Sequence, residues 1–411
     1  MAPACQVLFT SEYGWVLQPQ MLSLGDHWRW PVSLVATQYF ATKPDAASEP
    51  KSRSPPPNIK GPQPSVPDAV DEGEAIEDQP TATLKRKRGG RKKARQPTKG
   101  DESYDLIREW LLAAHSSLTS LEGGFPMSIG DQAMLEPEHE LDFIKFEELA
   151  DISAPRATGE CFTLNVDDVP PDDIGGLFHA IIQNNSDTCK MLNVLDHSYI
   201  IPRHSSFITS DLSRAPRTLK TLDPFDLIVM DPPWPNKSVQ RAGKYAEVDV
   251  YDLYKIPGKR LVCPGGYVAV WVTNRPKFQE FVRNKLFSAW GLTLVGEWYW
   301  LKVTAAGDWV FSPSTLHRKP YEILIIGRMK TSLPSDSSPD LPSRRAICSV
   351  PHKQHSRKPL LDDLFAAFLP ADARKLELFA RSVLPGWTAW GNEALKFNDV
   401  GFLTRDSAAK E

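Results

Sequence analysis

Phe225-Asp226-Leu227-Ile228-Val229-Met230-Asp231-Pro232-Pro233-Trp234-Pro235-Asn236-Lys237-Ser238 is an apolar run cut short by an acid, two prolines and a tryptophan. Uninterrupted Leu-Ile-Val-Met over residues 227–230 predicts a strand buried on both faces. Proline fixes φ and donates no N–H, so the chain must leave the sheet at Asp231. A carboxylate and an indole are thereby set at the carboxyl end of a buried strand, where open α/β sheets bind ligands.

These residue types suit one chemical task, holding an adenine while its exocyclic amine is alkylated. That amine is a weak nucleophile because its lone pair is delocalised into the ring. Asp231 and the carbonyl of Pro232 would each accept an amine hydrogen, and Pro232 and Pro233 preset where that carbonyl points. Trp234 offers a plate on which a base stacks, worth ~1–3 kcal/mol. Catalysis of this kind rests on positioning and electrostatics, with the methyl group coming from a sulfonium cofactor. A strand followed by a Pro-Pro turn with a packing tryptophan is the plainer alternative.

Around this point, apolar runs recur at 199–201, 225–230, 267–273, 294–303, 323–327, 346–350 and 376–380. Helical stretches at 246–256, 276–290 and 360–369 lie between several of them. Strands alternating with helices predict a mostly parallel sheet covered on both faces, here over residues 196–400. Residues 331–345, rich in Ser, Pro and Asp, are expected to be a flexible loop, and 401–411 a tail.

Upstream, residues 101–195 read as a mostly helical accessory domain. A helix is expected at 104–121 and a second at 174–182, the latter weakened by Gly175-Gly176. Residues 44–100 hold nine prolines between 44 and 80 and few apolar side chains, so a disordered linker is expected. Its run 85–95, Lys-Arg-Lys-Arg-Gly-Gly-Arg-Lys-Lys-Ala-Arg, has eight basic residues and no acid. It reads as a nuclear localisation signal bound by an import receptor, a nucleic-acid arm or a solvated charge run. Residues 1–43, with scattered aromatics, form a strand pair or dock onto the later domain.

A net charge of −3 sets up no global field for nucleic acid, so any such binding is local. Five cysteines without a Cys-x-x-Cys pair exclude a disulfide scaffold and fit a reducing compartment. His352 and His355 stand near Cys348, but a fourth ligand at metal spacing is missing, and no metal is expected. Neither a membrane span nor a signal peptide is read, and the chain is expected to be a monomer.

Further motifs narrow the picture: Trp-Val-Thr-Asn-Arg at 271–275, Lys-Pro-Tyr-Glu at 319–322, Glu-Leu-Phe-Ala-Arg at 377–381, Pro-Gly-Trp-Thr at 385–388 and Trp-Gly-Asn-Glu at 390–393. With Asp-Pro-Pro-Trp they resemble the adenine N-6 methyltransferases related to the large catalytic subunit of the messenger-RNA adenosine methyltransferase. The resemblance covers roughly residues 190–400. It implies a Rossmann-like α/β fold using S-adenosyl-L-methionine, with the motif order permuted: the cofactor strand at 376–381 follows the catalytic one, and no Gly-x-Gly-x-x-Gly opens the domain.

By the same resemblance Arg381, Asn392 and Glu393 would contact the cofactor's ribose or adenine, and Asp211 and Leu212 would lie near its adenine. Asp231 would face both cofactor and substrate. The loop 355–359 would close over the site, bringing Lys358 to the methionine carboxylate or to the substrate. Read without the resemblance, Glu377 ends a salt bridge, Asn392 is a turn residue and Lys358 a surface lysine. Asn236, Lys237, Ser238, Arg241, Lys244 and Tyr245, with Arg318 and Lys319, read as a mobile clamp on nucleic acid or as a solvated face. A base inside a duplex cannot reach Trp234, so the substrate must be single-stranded or flipped out. The resemblance implies RNA, specifically 2′-O-methyladenosine in small nuclear RNA, with DNA adenine second; the basic run 85–95 points to a nuclear location, with the cytosol second. The rival is a catalytically silent paralogue that binds RNA or scaffolds a partner; a small-molecule methyltransferase is weaker still.

Overall fold

Val229 and Met230, the last apolar residues before the acid, are hydrogen-bonded into strands on both sides. The strand Phe225–Met230 pairs in parallel with Val262–Val272, Met230 opposite Val270, and in parallel with Lys375–Leu378, Met230 opposite Leu378. From Leu227 onward its side chains alternate between two cores, Phe225 lying before a shift in register. Phe225, Ile228 and Met230 join one cluster, Leu227 and Val229 the other. Burial on both faces explains the unbroken apolar run, each such side chain contributing about 1.5–3 kcal/mol.

The computed structural model describes residues 7–17, 23–25, 28–29, 99–120, 161–170, 177–178, 180–235, 249–314, 319–331, 339–351 and 357–405. Twelve strands of these form one sheet. In chain order they are β1 (Val7–Thr10), β2 (Gly14–Leu17), β3 (Phe162–Asn165), β4 (Ala180–Asn184), β5 (Ser205–Thr209), β6 (Phe225–Met230), β7 (Val262–Val272), β8 (Leu292–Lys302), β9 (Tyr321–Met329), β10 (Arg344–Ser349), β11 (Lys375–Leu378) and β12 (Trp387–Gly391). Across the sheet they run β1-β2-β10-β8-β9-β7-β6-β11-β12-β5-β4-β3. The centre, β7-β6-β11-β12-β5, is parallel throughout, as the alternating pattern predicts. From β6 the chain runs outward to β7, and from β11 it runs the opposite way to β12. Their adjacent carboxyl ends therefore make a topological switch point, where such sheets hold ligands.

The helix α1 (Lys99–Thr119) matches the spacing read from sequence, with Leu111, Ala114 and Leu118 buried. Trp110 packs 6.1 Å from Tyr13 and 5.5 Å from Tyr299, ring centre to ring centre. The helical stretch expected at 276–290 is present as Pro276–Phe281, a π-turn over Val282–Leu286, and Phe287–Trp290. Pro276 occupies the first position, where a missing N–H costs nothing, and Gly291 at φ 76° takes the left-handed conformation that ends it.

Two expectations need correcting. The described part of the stretch 174–182 beyond Phe178 is strand, not helix: Ala180–Asn184 alternates buried and half-buried side chains against β5. Residues 199–201 belong to a separate hairpin, Lys190–Val194 with His197–Ile201. The described parts of 101–195 thus supply one helix and several strands, of which β3 and β4 extend the large sheet. Residues 7–17 do both things foreseen for the N-terminal segment, pairing as β1 and β2 and docking on β10. The basic run 85–95, most of the clamp segment and the histidines 352 and 355 lie outside the described residues. No described helix is long and apolar enough to cross a membrane.

Candidate active site

Directly after β6, Asp231 meets a lysine from the loop that follows β10, whose carboxyl end lies on the same edge of the sheet. Lys358 Nζ donates to Asp231 Oδ2 at 2.8 Å and lies 3.3 Å from Glu322 Oε2. Glu322 on β9 also accepts from Lys302 Nζ at 2.5 Å, and Lys302 ends β8. Four alternating charges on four chain segments are thereby linked. Burial alone would pull the Lys358 ammonium down, but Asp231 and Glu322 hold it above its ordinary range. Burial would likewise raise Glu322, but Lys358 and Lys302 outweigh it and hold the carboxyl below the usual range. The network fixes one oxygen of Asp231. Oδ1 has no hydrogen-bond partner among the described residues, so it is open to a substrate donor.

The turn itself is preset. Trp234 N–H donates to the Pro232 carbonyl at 2.8 Å, fixing its direction and leaving its second lone pair. The Trp234 indole is half-buried, neither sunk in the core nor swinging free. Its Nε1 donates to the Trp271 carbonyl at 2.8 Å, and Phe278 lies 5.0 Å away, ring centre to ring centre. Arg275 donates to the Pro235 carbonyl at 2.8 Å, so the Trp-Val-Thr-Asn-Arg segment grips the turn at both ends.

Beside Asp231 lies a cavity between the ends of β6 and β11, lined by apolar Phe379, Leu384 and Trp387 and by Asp231, Glu377, Lys358 and Arg381. Burial, with the neighbouring Asp231, pushes the Glu377 carboxyl up to about 8 despite Arg381. Glu377 makes no ion pair among the described residues. Phe379 adopts φ 61°, a left-handed conformation costing a bulky residue ~1–2 kcal/mol, and turns the chain so that Arg381 faces the end of β12. There Arg381 Nε donates to Glu393 Oε2 at 3.0 Å, and Lys396 holds the other oxygen at 2.6 Å. Burial would raise Glu393, but Lys396 and Arg381 hold it low.

Gly391 makes this close approach feasible. A Cβ there would sit 2.9 Å from the Ala380 carbonyl oxygen and 3.0 Å from its nitrogen, both backbone atoms that cannot step aside. Gly391→Ala is expected to cost about 1–3 kcal/mol and to part the turns carrying Arg381 and Glu393. Thermal unfolding beside a titration of S-adenosyl-L-methionine reads both effects.

The structure gathers Asp231, Trp234, Lys358, Arg381, Asn392 and Glu393 at the carboxyl ends of β6, β11 and β12. Asp211 and Leu212 stand at the end of the adjoining β5, where Ser210 N–H donates to the Gly391 carbonyl at 3.2 Å. The Asp211 carboxylate is turned to its own loop, accepting from Ser213 N at 2.6 Å, and Leu212 packs on the core. Lys319 stands two residues before Tyr321, where β9 begins, whereas Asn236, Lys237, Ser238, Arg241, Lys244, Tyr245 and Arg318 lie outside the described residues. Sequence reasoning missed Lys302 and assigned Glu322 no role. Their signal was a lone charge at the end of an eleven-residue strand and an acid within a quoted motif.

Residues 225–393 match the model of the MT-A70 family. The resemblance read from Asp231–Trp234 and the later motifs is borne out. The chain is 40% identical over 233 residues to a human protein named N(6)-adenine-specific methyltransferase METTL4, covering 55% of this chain and 49% of that one. An N6-methyladenosine RNA methyltransferase MTA1 of Pyricularia oryzae is 39% identical over 211 residues, 49% of this chain and 55% of that protein. A DNA N6-methyl methyltransferase of Caenorhabditis elegans is 33% identical over 230 residues, 55% and 59% respectively. The chain spans about half the length of the curated relatives it matches.

Proposed function

We propose that this chain is an S-adenosyl-L-methionine-dependent methyltransferase acting on the exocyclic N6 amine of adenine in nucleic acid. The observation that carries the proposal is the Asp231 carboxylate, held by Lys358 through one oxygen and open at the other, beside a preset carbonyl, an anchored indole and a cavity of mixed charge. The lining fits the cofactor's chemistry: Lys358 and Arg381 suit a carboxylate and hydroxyls, Asp231 a cationic centre, and Phe379 and Trp387 an apolar body. When bound, the cofactor supplies the methyl group. This chain's residues do the rest. Asp231 Oδ1 and the Pro232 carbonyl accept the two amine hydrogens, localising the nitrogen lone pair, and Trp234 supports the base.

The substrate assigned is RNA, with 2′-O-methyladenosine of small nuclear RNA the first target and DNA adenine the second. The names of the relatives support adenine and divide between RNA and DNA. The run 85–95 is assigned to an import receptor and the protein to the nucleus, the cytosol second, acting as a monomer. The test is transfer of label from S-adenosyl-L-methionine to matched RNA and DNA oligonucleotides, with and without 2′-O-methyl on the target adenosine. Transfer confined to adenine N6 and enhanced by the 2′-O-methyl is expected. Absence of transfer to every adenine oligonucleotide would leave the silent-paralogue alternative.

A further inference from the structure

Two tyrosines near the catalytic turn stand out of the surface without a task in that chemistry. Tyr251 is 52% exposed and Tyr254 42%. They lie on the 3₁₀ helix Val250–Lys255, where side chains three apart eclipse, so both rings project from one face. The ring centres are 6.2 Å apart. Asp249 caps this helix by accepting from Tyr251 N–H at 3.0 Å, which fixes the platform's base.

Beneath both rings lies Phe281, 5% exposed, with its ring centre 5.6 Å from Tyr251 and 5.7 Å from Tyr254. Phe281 is one helical turn, about 5 Å of rise, from Phe278, the residue packed against Trp234. One helix therefore supports the plate at the catalytic turn and the exposed pair beyond it. It also carries cations to both. Lys277 Nζ sits 4.6 Å above the Phe278 ring centre. Lys285 Nζ lies 3.3 Å from the Tyr251 hydroxyl and 5.4 Å from its ring centre. Neither lysine has a carboxylate partner among the described residues. Of the nearby described acids Asp249 serves the cap, Asp252 is bound by Lys255 at 2.9 Å, Glu297 is bound by Arg283, and Glu280 is left.

We propose that Tyr251 and Tyr254, backed by Phe281 and edged by Lys285, form a stacking platform for the bases that flank the target adenine in a single strand. This rests on the function proposed above, whose substrate path it extends from Trp234 across the helix 276–290. Exposed aromatic faces with ammonium groups at their edges are what sequence-tolerant single-strand binding requires: rings for any base and cations for the phosphates. A second protein would be served better by a wider apolar patch than two hydroxyl-tipped rings provide.

The test is fluorescence anisotropy of the full chain with labelled single-stranded RNA of ~12 nucleotides, inside the ~4–16 usual for such a site, and with a trinucleotide centred on adenine. The double variant Tyr251→Ala/Tyr254→Ala is expected to raise Kd on the longer RNA by about tenfold or more and on the trinucleotide by less than about twofold. Tyr251→Phe/Tyr254→Phe should keep wild-type affinity, because the rings do the stacking. Lys285→Gln should flatten the dependence of log Kd on log salt by ~0.7. An equal loss on matched DNA supports the platform too, since stacking ignores the sugar. Wild-type affinity in the alanine variant, an equal loss on both lengths, or failure of the wild type to bind either nucleic acid overturns it. Thermal unfolding of the variants separates lost contacts from lost fold. Methyl transfer by the wild type to the same oligonucleotides is scored separately, so the catalytic proposal and the platform fail independently.

Discussion

Asp231→Ala lowers kcat on an adenine-containing oligonucleotide by about a thousandfold or more while the protein remains folded. The magnitude follows from the double duty of the carboxylate: it would accept an amine hydrogen directly, and it presents a fixed negative charge where positive charge builds on the attacking nitrogen. Removing one such preorganised group costs ~10²–10³ elsewhere, and general-base contributions of ~10²–10⁴ are usual. The fold survives because Lys358 keeps Glu322 at 3.3 Å and is not left as a buried lone charge. Steady-state transfer assays and a thermal melt of the same preparation check both halves. A variant retaining more than about a tenth of wild-type turnover would remove Asp231 from the chemistry.

Glu377→Gln changes how stability depends on pH. Burial first, then Asp231, lifts the Glu377 carboxyl from 4.5 to about 8 in the folded protein. Between those values the unfolded chain releases a proton that the folded chain keeps, so wild-type stability falls as pH rises through that window. The slope is at most ~1.4 kcal/mol per pH unit, and allowing for water in the cavity the whole effect is on the order of 2 kcal/mol. Glutamine does not titrate. The variant should therefore lose less stability than wild type between pH 5 and pH 8 in urea denaturation. Equal losses would show that Glu377 is already ionised when folded. Asp231→Ala should shrink the same slope, because it removes the largest charge opposing ionisation of Glu377.

The central strand was legible because four consecutive apolar residues followed by Asp-Pro-Pro admit few other structures. The helix at 276–290 was legible through Pro276 and the spacing of Phe278, Phe281 and Val282. Its neighbours show where sequence falls short. Ser205–Thr209 and Trp387–Gly391 lie inside the sheet, but each is only five residues long and is stabilised by partners remote in sequence. Ala180–Asn184 follows two glycines and cap-like acids, and a short apolar run there fits either period. In the site, Asp231 and Trp234 announced themselves by local context, and Lys358 only through the family resemblance. The Lys302–Glu322 link could not, since it depends on the register that sets Trp300 opposite Glu322. The protonation of Glu377 is equally invisible until burial and the position of Asp231 are known.

The N-terminal hairpin makes timing part of this architecture. Gly14, Trp15 and Val16 pair with Ala346, Ile347 and Cys348, so the ribosome releases one partner long before the other exists. At ~5–20 residues per second the interval is roughly 15–65 s. During it the apolar Trp15-Val16-Leu17 segment has its hairpin mate Val7–Thr10 on one side and an open edge on the other. A nascent chain would then present a sticky edge that holdase chaperones are suited to shield, and loss of the first twenty residues would leave β10 a bare sheet margin open to pairing between molecules.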